Sequence, residues 1–323
     1  MRLPQPLLDS PFFQFERLEE FERALSDGWD DDGLVEVRRL AALGLPPIAS
    51  PSALATLLGV NQGLIWSFVH RTQKHYRSFS IPKGPHRRQI DAPRVALKVV
   101  QKWLATQLGR KHEPHSHVYG FVPGKSHLNA AIVHAPATWV LSLDIESFFP
   151  STPQELVENS LIRFGFGGAG ATLIASLACL RGNLAQGAPT SPILSNICFV
   201  PWDDSLAQIA SQWGVRITRY ADDIVFSGTA EYPEGLVEAA SALLSDSPWR
   251  LSERKISLAV APARRKVHGL LVHGDCIRLT KGYRNKLRAY RHLLATRPNL
   301  DRQFRDAVRG HIAYQDAVEQ LAD

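Results

Sequence analysis

Two adjacent aspartates, Asp222 and Asp223, sit in the stretch that most restricts how this chain can fold. The stretch is Val215-Arg216-Ile217-Thr218-Arg219-Tyr220-Ala221-Asp222-Asp223-Ile224-Val225-Phe226-Ser227-Gly228. β-Branched and aromatic residues flank the acids on both sides, which predicts strand, tight turn and strand with the acids at the tip. Neighbouring negative charges cost energy unless a cation neutralises them. Carboxylate oxygens favour a divalent ion such as Mg²⁺ or Mn²⁺. A solvated hairpin turn is the alternative, since Asp is common in turns.

A third acid strengthens the metal reading. Thr138-Trp139-Val140-Leu141-Ser142-Leu143-Asp144-Ile145-Glu146-Ser147-Phe148-Phe149 alternates as a strand. Leu141, Leu143 and Ile145 point one way, Ser142 and Asp144 the other. Three carboxylates can hold two Mg²⁺ ions about 3.5–4 Å apart, one activating a hydroxyl and one stabilising a leaving pyrophosphate. The protein then positions groups and neutralises charge. Between the acidic sites lies Gln186-Gly187-Ala188-Pro189-Thr190-Ser191-Pro192. Gly187 and Pro189 predict a fixed turn. Ser191-Pro192 predicts an N-cap and first helical turn, a place that favours an anionic or polar ligand. An ordinary capped helix is the alternative there.

These segments, in this order, resemble reverse transcriptases. Asp144-Ile145-Glu146-Ser147-Phe148-Phe149 looks like the first catalytic motif, Gln186 to Pro192 like the nucleotide-binding motif, and Tyr220-Ala221-Asp222-Asp223 like the second catalytic motif. Ala221 fits the bacterial branch. Asn129-Ala130-Ala131-Ile132-Val133-His134 is similar to a retron signature, and Arg265-Lys266-Val267-His268-Gly269-Leu270 stands at a second one, with His268 where retrons carry Thr. The resemblance runs from about Tyr76 to the C-terminus.

It implies an α+β right-hand polymerase of fingers, palm and thumb with a helical N-terminal region. The implied divisions are 1–75 (N-terminal helices), 76–266 (fingers and palm) and 267–323 (primer-grip hairpin and thumb). Asp144, Asp222 and Asp223 would be catalytic and, with the Ile145 backbone carbonyl, would bind metal. Arg88, Phe149, Gln186, Gly187 and Lys255 would bind the nucleotide. Phe149 would be the gate against a ribose 2′-hydroxyl, and Lys255 would lie near the leaving pyrophosphate. Asn129 and His134 would contact RNA or brace the palm. Arg284, Arg288 and Arg291 would track phosphates.

The residues outside these motifs agree with a polyanion partner. The formal net charge is +6. Acids crowd the N-terminal part (Glu16, Glu19, Glu20, Glu22, Asp27, Asp30, Asp31, Asp32), and Arg and Lys crowd residues 250–291. Such asymmetry suggests a nucleic-acid track, with a plain solvated surface as the alternative. Residues 76–93 read as two short strands around a basic turn, where Lys83, Arg87 and Arg88 could face a triphosphate. Phe15, Leu18, Phe21 and Leu25 recur at helical spacing. Residues 50–63 look like a small helix–turn–helix. Val95 to Leu108 reads as an amphipathic helix.

Further helices are expected from about 152 to 164, from 192 to 213 and from 236 to 244. Val267 to Leu279 reads as a hairpin around His273-Gly274-Asp275. Thr280 opens a helix, with Arg284, Arg288 and Arg291 on one face. Arg309 to Tyr314 reads as a short closing helix.

His112, His115, His117 and His127 cluster locally, yet no Cys or carboxylate pattern completes a zinc site. Cys179, Cys198 and Cys276 have no disulfide or zinc spacing and read as buried, reduced thiols of a cytoplasmic protein. No apolar run approaches the roughly 20 residues that span a bilayer. Met1-Arg2-Leu3-Pro4-Gln5 lacks a charged-then-apolar secretion signal.

The resemblance thus implies an RNA-directed DNA polymerase using two Mg²⁺ ions, with Mn²⁺ as an alternative. Its partners would be dNTPs, the DNA product, a cognate structured non-coding RNA as template and primer, and an effector protein in anti-phage defence, with no membrane partner. The product would be single-stranded DNA joined to RNA in a branch. Another defence-associated or group II intron-like reverse transcriptase, or a catalytically idle RNA-binding scaffold, remains open from sequence.

Overall fold

The computed structural model describes residues 8–25, 31–84, 86–297 and 301–321. Met1 to Gln5, Asp27, Asp30, the Asp31 side chain and Pro85 of the basic turn lie outside the described residues.

In chain order run helices α1 (Leu18–Leu25), α2 (Asp31–Ala42), α3 (Pro51–Leu58), α4 (Gln62–His70), α5 (Val95–Lys111), α6 (His127–Val133), α7 (Gln154–Phe164), α8 (Gly168–Ala178), α9 (Ser191–Gln212), α10 (Leu236–Ser245), α11 (Lys281–Thr296) and α12 (Arg302–Gln320). The strands are β1 (Tyr76–Lys83), β2 (His86–Pro93), β3 (Trp139–Asp144), β4 (Cys179–Leu180), β5 (Asn183–Leu184), β6 (Arg216–Tyr220), β7 (Asp223–Gly228), β8 (Ser257–Val260), β9 (Lys266–Val267), β10 (Leu270–Leu271) and β11 (Arg278–Leu279). Two compact units result: Met1–Pro114 with Ser147–Pro201, and His115–Glu146 with Trp202–Asp323. The boundary crosses α9 at Pro201, whose missing N–H removes one helical hydrogen bond.

The first unit is mainly helical. Phe21 and Leu25 of α1 are buried, and Phe15 stacks on Phe21 from just outside the helix. The helix–turn–helix forms as its local chemistry demands. The Ser50 hydroxyl accepts from Ala53 N, Gly59 closes α3 at φ 64°, and Asn61 caps α4. Helix α3 buries Ala53, Leu54, Ala55, Leu57 and Leu58. The indole of Trp103 and the amide of Gln107 on α5 donate to Ser10 O and Leu8 O, strapping the N-terminal segment onto the helix. Strands β1 and β2 form an antiparallel ribbon from Tyr76↔Pro93 to Lys83↔His86. Its base is anchored: Tyr76 is buried, its hydroxyl accepts from Gln101, and burial pushes that phenol up to about 12.

The second unit carries a four-stranded antiparallel sheet of order β6-β7-β3-β8. The alternation in β3 predicts one buried face, but Trp139, Val140, Leu141, Leu143 and Asp144 are all buried. A central strand covered on both faces has no solvent side. Val140 and Val225 share one core with Leu128 and Ala131 of α6, Val267, Leu270 and Leu279 of the small sheet, Leu287 of α11 and Val318 of α12. The C-terminal helices therefore rest on the same core as the main sheet. The small sheet has order β11-β10-β9, and the 272–277 loop holds His273-Gly274-Asp275 as expected. Thr280 caps α11 by accepting from Tyr283 N. The expected short helix at Arg309 to Tyr314 is the middle of a 19-residue helix, α12, started by Asp301 as N-cap. The capping Asp lies well upstream of the segment that caught the eye in sequence.

Candidate active site

The acidic hairpin is built as its sequence predicts. Tyr220 pairs with Asp223, leaving Ala221 and Asp222 as a two-residue loop. Ala221 has φ 58°, a left-handed conformation that costs a non-glycine residue about 1–2 kcal/mol. Neighbouring segments over-determine this turn. Ile145 N donates to Asp222 O at 2.9 Å, and Asp144 lies opposite Asp223 in the β3–β7 register. Residues 117–120 run along β6, with Arg219 N donating to His117 O and Tyr119 N to Arg219 O, each at 2.8 Å. Gly120 presses so closely that a Cβ there would stand 2.2 Å from Ala221 N. The buried Arg219 guanidinium grips both carboxylate oxygens of Asp203 at 2.7 and 2.6 Å and donates to Ala221 O at 3.2 Å.

Electrostatics mark the same spot. Burial raises the Asp144 carboxyl, and Asp223 raises it further, while Lys255 opposes both. Burial also raises Asp222, aided by the charges of Asp223 and Asp144. Asp223 goes the other way: burial works against it, but His268 and the proton it can share with Asp144 hold it below the usual range. Lys255, on a single 3₁₀ turn (Glu253–Lys255), pairs with Asp144 Oδ1. His268 Nδ1 stands 3.7 Å from Asp223 Oδ2, within ion-pair reach and beyond a hydrogen bond.

Two facts bear on an ion. The donor set is hard carboxylate oxygen from Asp144 and Asp223 facing each other, with Asp222 close enough to sense both charges, which fits an oxygen-preferring divalent cation. Among the described residues, however, no group of three or more His, Cys, Asp or Glu side chains is gathered tightly enough to hold one. Asp144 and Asp223 meet; Asp222 does not complete a trio.

The remaining predicted residues fall in different places. His134 is fully buried, with Nδ1 2.7 Å from Ser227 Oγ and Nε2 2.7 Å from Thr218 Oγ1. Both ring nitrogens are spent inside the sheet, so of the two expected roles, contacting RNA or bracing the palm, the fully buried His134 fits the brace. Burial lowers its pKa to about 3. Asn129 closes a capping box with Ser126 at the start of α6, which gives it a structural task as well. Arg284, Arg288 and Arg291 are exposed on α11, as a phosphate-tracking face requires.

In the first unit, Phe148 is buried against Phe199, whereas Phe149 is half-buried. Gln186 O accepts from Asp91 N at 2.9 Å, and Gly187 (φ 125°) lies where a Cβ would meet Ile90 and Asp91. Arg88 is half-buried on β2, while Arg87 donates to Ser80 O. Ser191 is not the cap of α9. The helix begins at Ser191, whose hydroxyl donates back to Ala185 O at 2.7 Å, beside the bond that Ala188 N makes to the same carbonyl. Thr190 precedes it, with its hydroxyl buried and unpaired.

Among the described residues, the four histidines are not gathered into a group that could hold a metal ion. His117 pairs with Asp203, His115 with Asp204, His127 with Tyr314, and His112 packs on Phe164. Cys179 and Cys198 are buried free thiols, and Cys276 is only half-buried, against expectation, because it sits in the loop before β11.

Sequence reading missed Asp203, Arg219, Gly120 and the contact of His268. A signal existed for the first pair: Asp203 follows an apolar run on α9, and Arg219 lies on β6, within the strand–turn–strand expected from sequence. Opposite charges placed where burial is expected should be matched to each other.

The pattern that defines the reverse transcriptase (RNA-dependent DNA polymerase) family matches residues 81–274. The chain belongs to that family, and its architecture is the right-hand polymerase fold. Within the family it is similar to bacterial retron enzymes. It is 31% identical to the retron Mx162 reverse transcriptase of Myxococcus xanthus over 286 residues, covering 76% of this chain and 59% of that one. It is 32% identical to the retron Mx65 reverse transcriptase of the same organism, covering 81% and 66%. It is 27% identical to the retron Ec86 reverse transcriptase of Escherichia coli, covering 79% and 81%. The chain thus spans just under two thirds or less of the length of the two Myxococcus relatives.

Proposed function

We propose that this chain is an RNA-directed DNA polymerase that copies part of a cognate structured RNA. The carrying observation is the pairing of Asp144 with Asp223 beside a turn held from several sides. Asp144, Asp223 and the Ile145 carbonyl would hold two Mg²⁺ or Mn²⁺ ions, with Asp222 turning its carboxylate inward to complete the set. Bound there, the ions would lower the pKa of an attacking hydroxyl and neutralise the leaving pyrophosphate. Lys255 would exchange Asp144 for the pyrophosphate. In the first unit, Arg88, Gln186 and Gly187 are assigned to the nucleotide, and the half-buried Phe149 to ribose discrimination.

A cavity of about 570 Å³ in the same unit, lined by Arg77, Arg94, Lys98 and Lys102, supports RNA as the strand partner. The exposed arginines of α11 suit the product duplex. Likeness to retron reverse transcriptases supports a branched RNA-linked product, and a defence role with an effector protein is the extension of that reading. Free thiols suit a reducing cytoplasm. No described helix is long and apolar enough to cross a membrane.

The test is dNTP incorporation on a primed RNA template with Mg²⁺ or Mn²⁺. Asp222→Asn should lower kcat by about a thousandfold, the several kcal/mol such ions supply, with RNA affinity retained. Tight RNA binding by the wild type with no incorporation under either ion would instead support a scaffold.

A further inference from the structure

His268 occupies the first position of the two-residue turn that joins Val267 to Leu270. Its φ is 48° and that of Gly269 is 84°, the conformation a tight hairpin of this length requires. A histidine held left-handed is strained relative to ordinary backbone. Such strain persists where the surroundings fix the residue, and it gathers at functional sites. The surroundings here are specific. The His268 side chain is only 9% exposed, its ring packs 5.2 Å from that of Tyr220, and Nδ1 lies 3.7 Å from Asp223 Oδ2. Nε2 is buried and has no hydrogen-bond partner among the described residues. The ring's ion-pair neighbour among the described residues is therefore Asp223.

The direction matters because Asp223 has a choice. Its side chain is about half exposed, so nothing apolar confines it to face Asp144. Its backbone sets it opposite Asp144 in the ladder, but the carboxylate can still rotate toward solvent. A flexible cation would follow it outward. An imidazole fixed on a strained turn and wedged against Tyr220 cannot.

We propose that His268 is a positioning residue that fixes which way the Asp223 carboxylate faces, keeping it beside Asp144 for a divalent ion. This rests on the acids being ion ligands, as the polymerase reading holds. Side chains that orient metal ligands typically change metal affinity by about 10–100-fold when removed.

The experiment compares Mn²⁺ binding by calorimetry to the full chain, without RNA or dNTP, for wild type, His268→Gly and His268→Asn. Glycine relieves the left-handed strain, so folding is not at risk, and equal or higher melting temperature confirms it. Asparagine tolerates positive φ and returns a donor near the position of Nδ1. The expected result is Mn²⁺ affinity about tenfold or more weaker in His268→Gly and largely recovered in His268→Asn. In incorporation assays kcat should fall while KM for dNTP holds. Wild-type Mn²⁺ affinity in His268→Gly overturns the proposal, as does equal weakness of the Asn and Gly variants, or a wild type that binds no Mn²⁺. A wild type that binds Mn²⁺ but never incorporates dNTP sinks the polymerase reading alone, and the Mn²⁺ comparison still decides His268.

Discussion

Strands β1 and β2 pair over eight positions yet leave most of β1 in solvent, whereas β6 and β7 pair over five and are largely buried. The longer ladder is the less constrained one. Beyond its buried base, the basic ribbon is joined to its unit by few contacts, such as Asp91 N to Gln186 O. It exposes Phe79 and Ile81 alongside Arg77, Lys83 and Arg87. The acidic hairpin is gripped by β3 on one side, by residues 117–120 on the other, and by Arg219 and Asp203 from behind. A ladder supplies register, and lateral braces supply rigidity. Carboxylates that share an ion need rigidity, because small displacements forfeit most of the interaction. Cations that meet a polyanion need charge and reach more than fixed geometry.

The comparison breaks first at Asp203. Asp203→Ala takes the carboxylate away from the buried Arg219 guanidinium and should cost about 3–5 kcal/mol of unfolding free energy in urea titrations. Equal loss from Arg77→Ala on the ribbon would show that the two hairpins are braced alike.

Acid should act on the same hairpin. His134 is held neutral with a pKa near 3, below its ordinary value, so the unfolded chain binds the extra proton between about pH 6.5 and 3. Stability from this group is present above pH 6.5 and drains as pH falls. At pH 4.5 the loss should be about 2–3 kcal/mol. In His134→Leu that part of the pH slope should vanish, which denaturation at several pH values would reveal.

A methyl group is the next wedge. Gly120→Ala drives a Cβ against Ala221 N and should cost about 1–3 kcal/mol, together with dNTP incorporation. Normal melting with normal incorporation would show that the turn yields, and the contrast with the ribbon would weaken.

The smallest free-energy effect belongs to the basic side. Replacing Arg94, Lys98 and Lys102 together by Gln should shift melting least of these variants, since polar side chains of similar length replace exposed or half-buried ones. RNA affinity should fall about tenfold and the salt dependence should flatten by about two units of slope, as expected when about three phosphate contacts are lost. Fluorescence anisotropy across a KCl series reads both.

Much of the acidic site was legible because its signals are local. Alternating residues around Asp222 and Asp223 define the hairpin, Ser50 and Thr280 sit where caps belong, and the order of motifs along the chain specifies the family. Ser191 misled because a serine before proline can close a loop as readily as cap a helix. His134 stayed open between two roles because a histidine in a motif reads alike whether it meets RNA or two buried hydroxyls.

The amino-acid order by itself determined the tight turn of acids, the strand that delivers Asp144 and the helices that surround them, since each depends on residues a few positions apart. Tertiary structure alone decided that Arg219 would meet Asp203 across 16 positions and Lys255 would meet Asp144 across 111. It likewise turned His134 inward and set His268 against Asp223. Such partners are chosen by strand register and by which charges lose water together, and neither is written in any short stretch of chain.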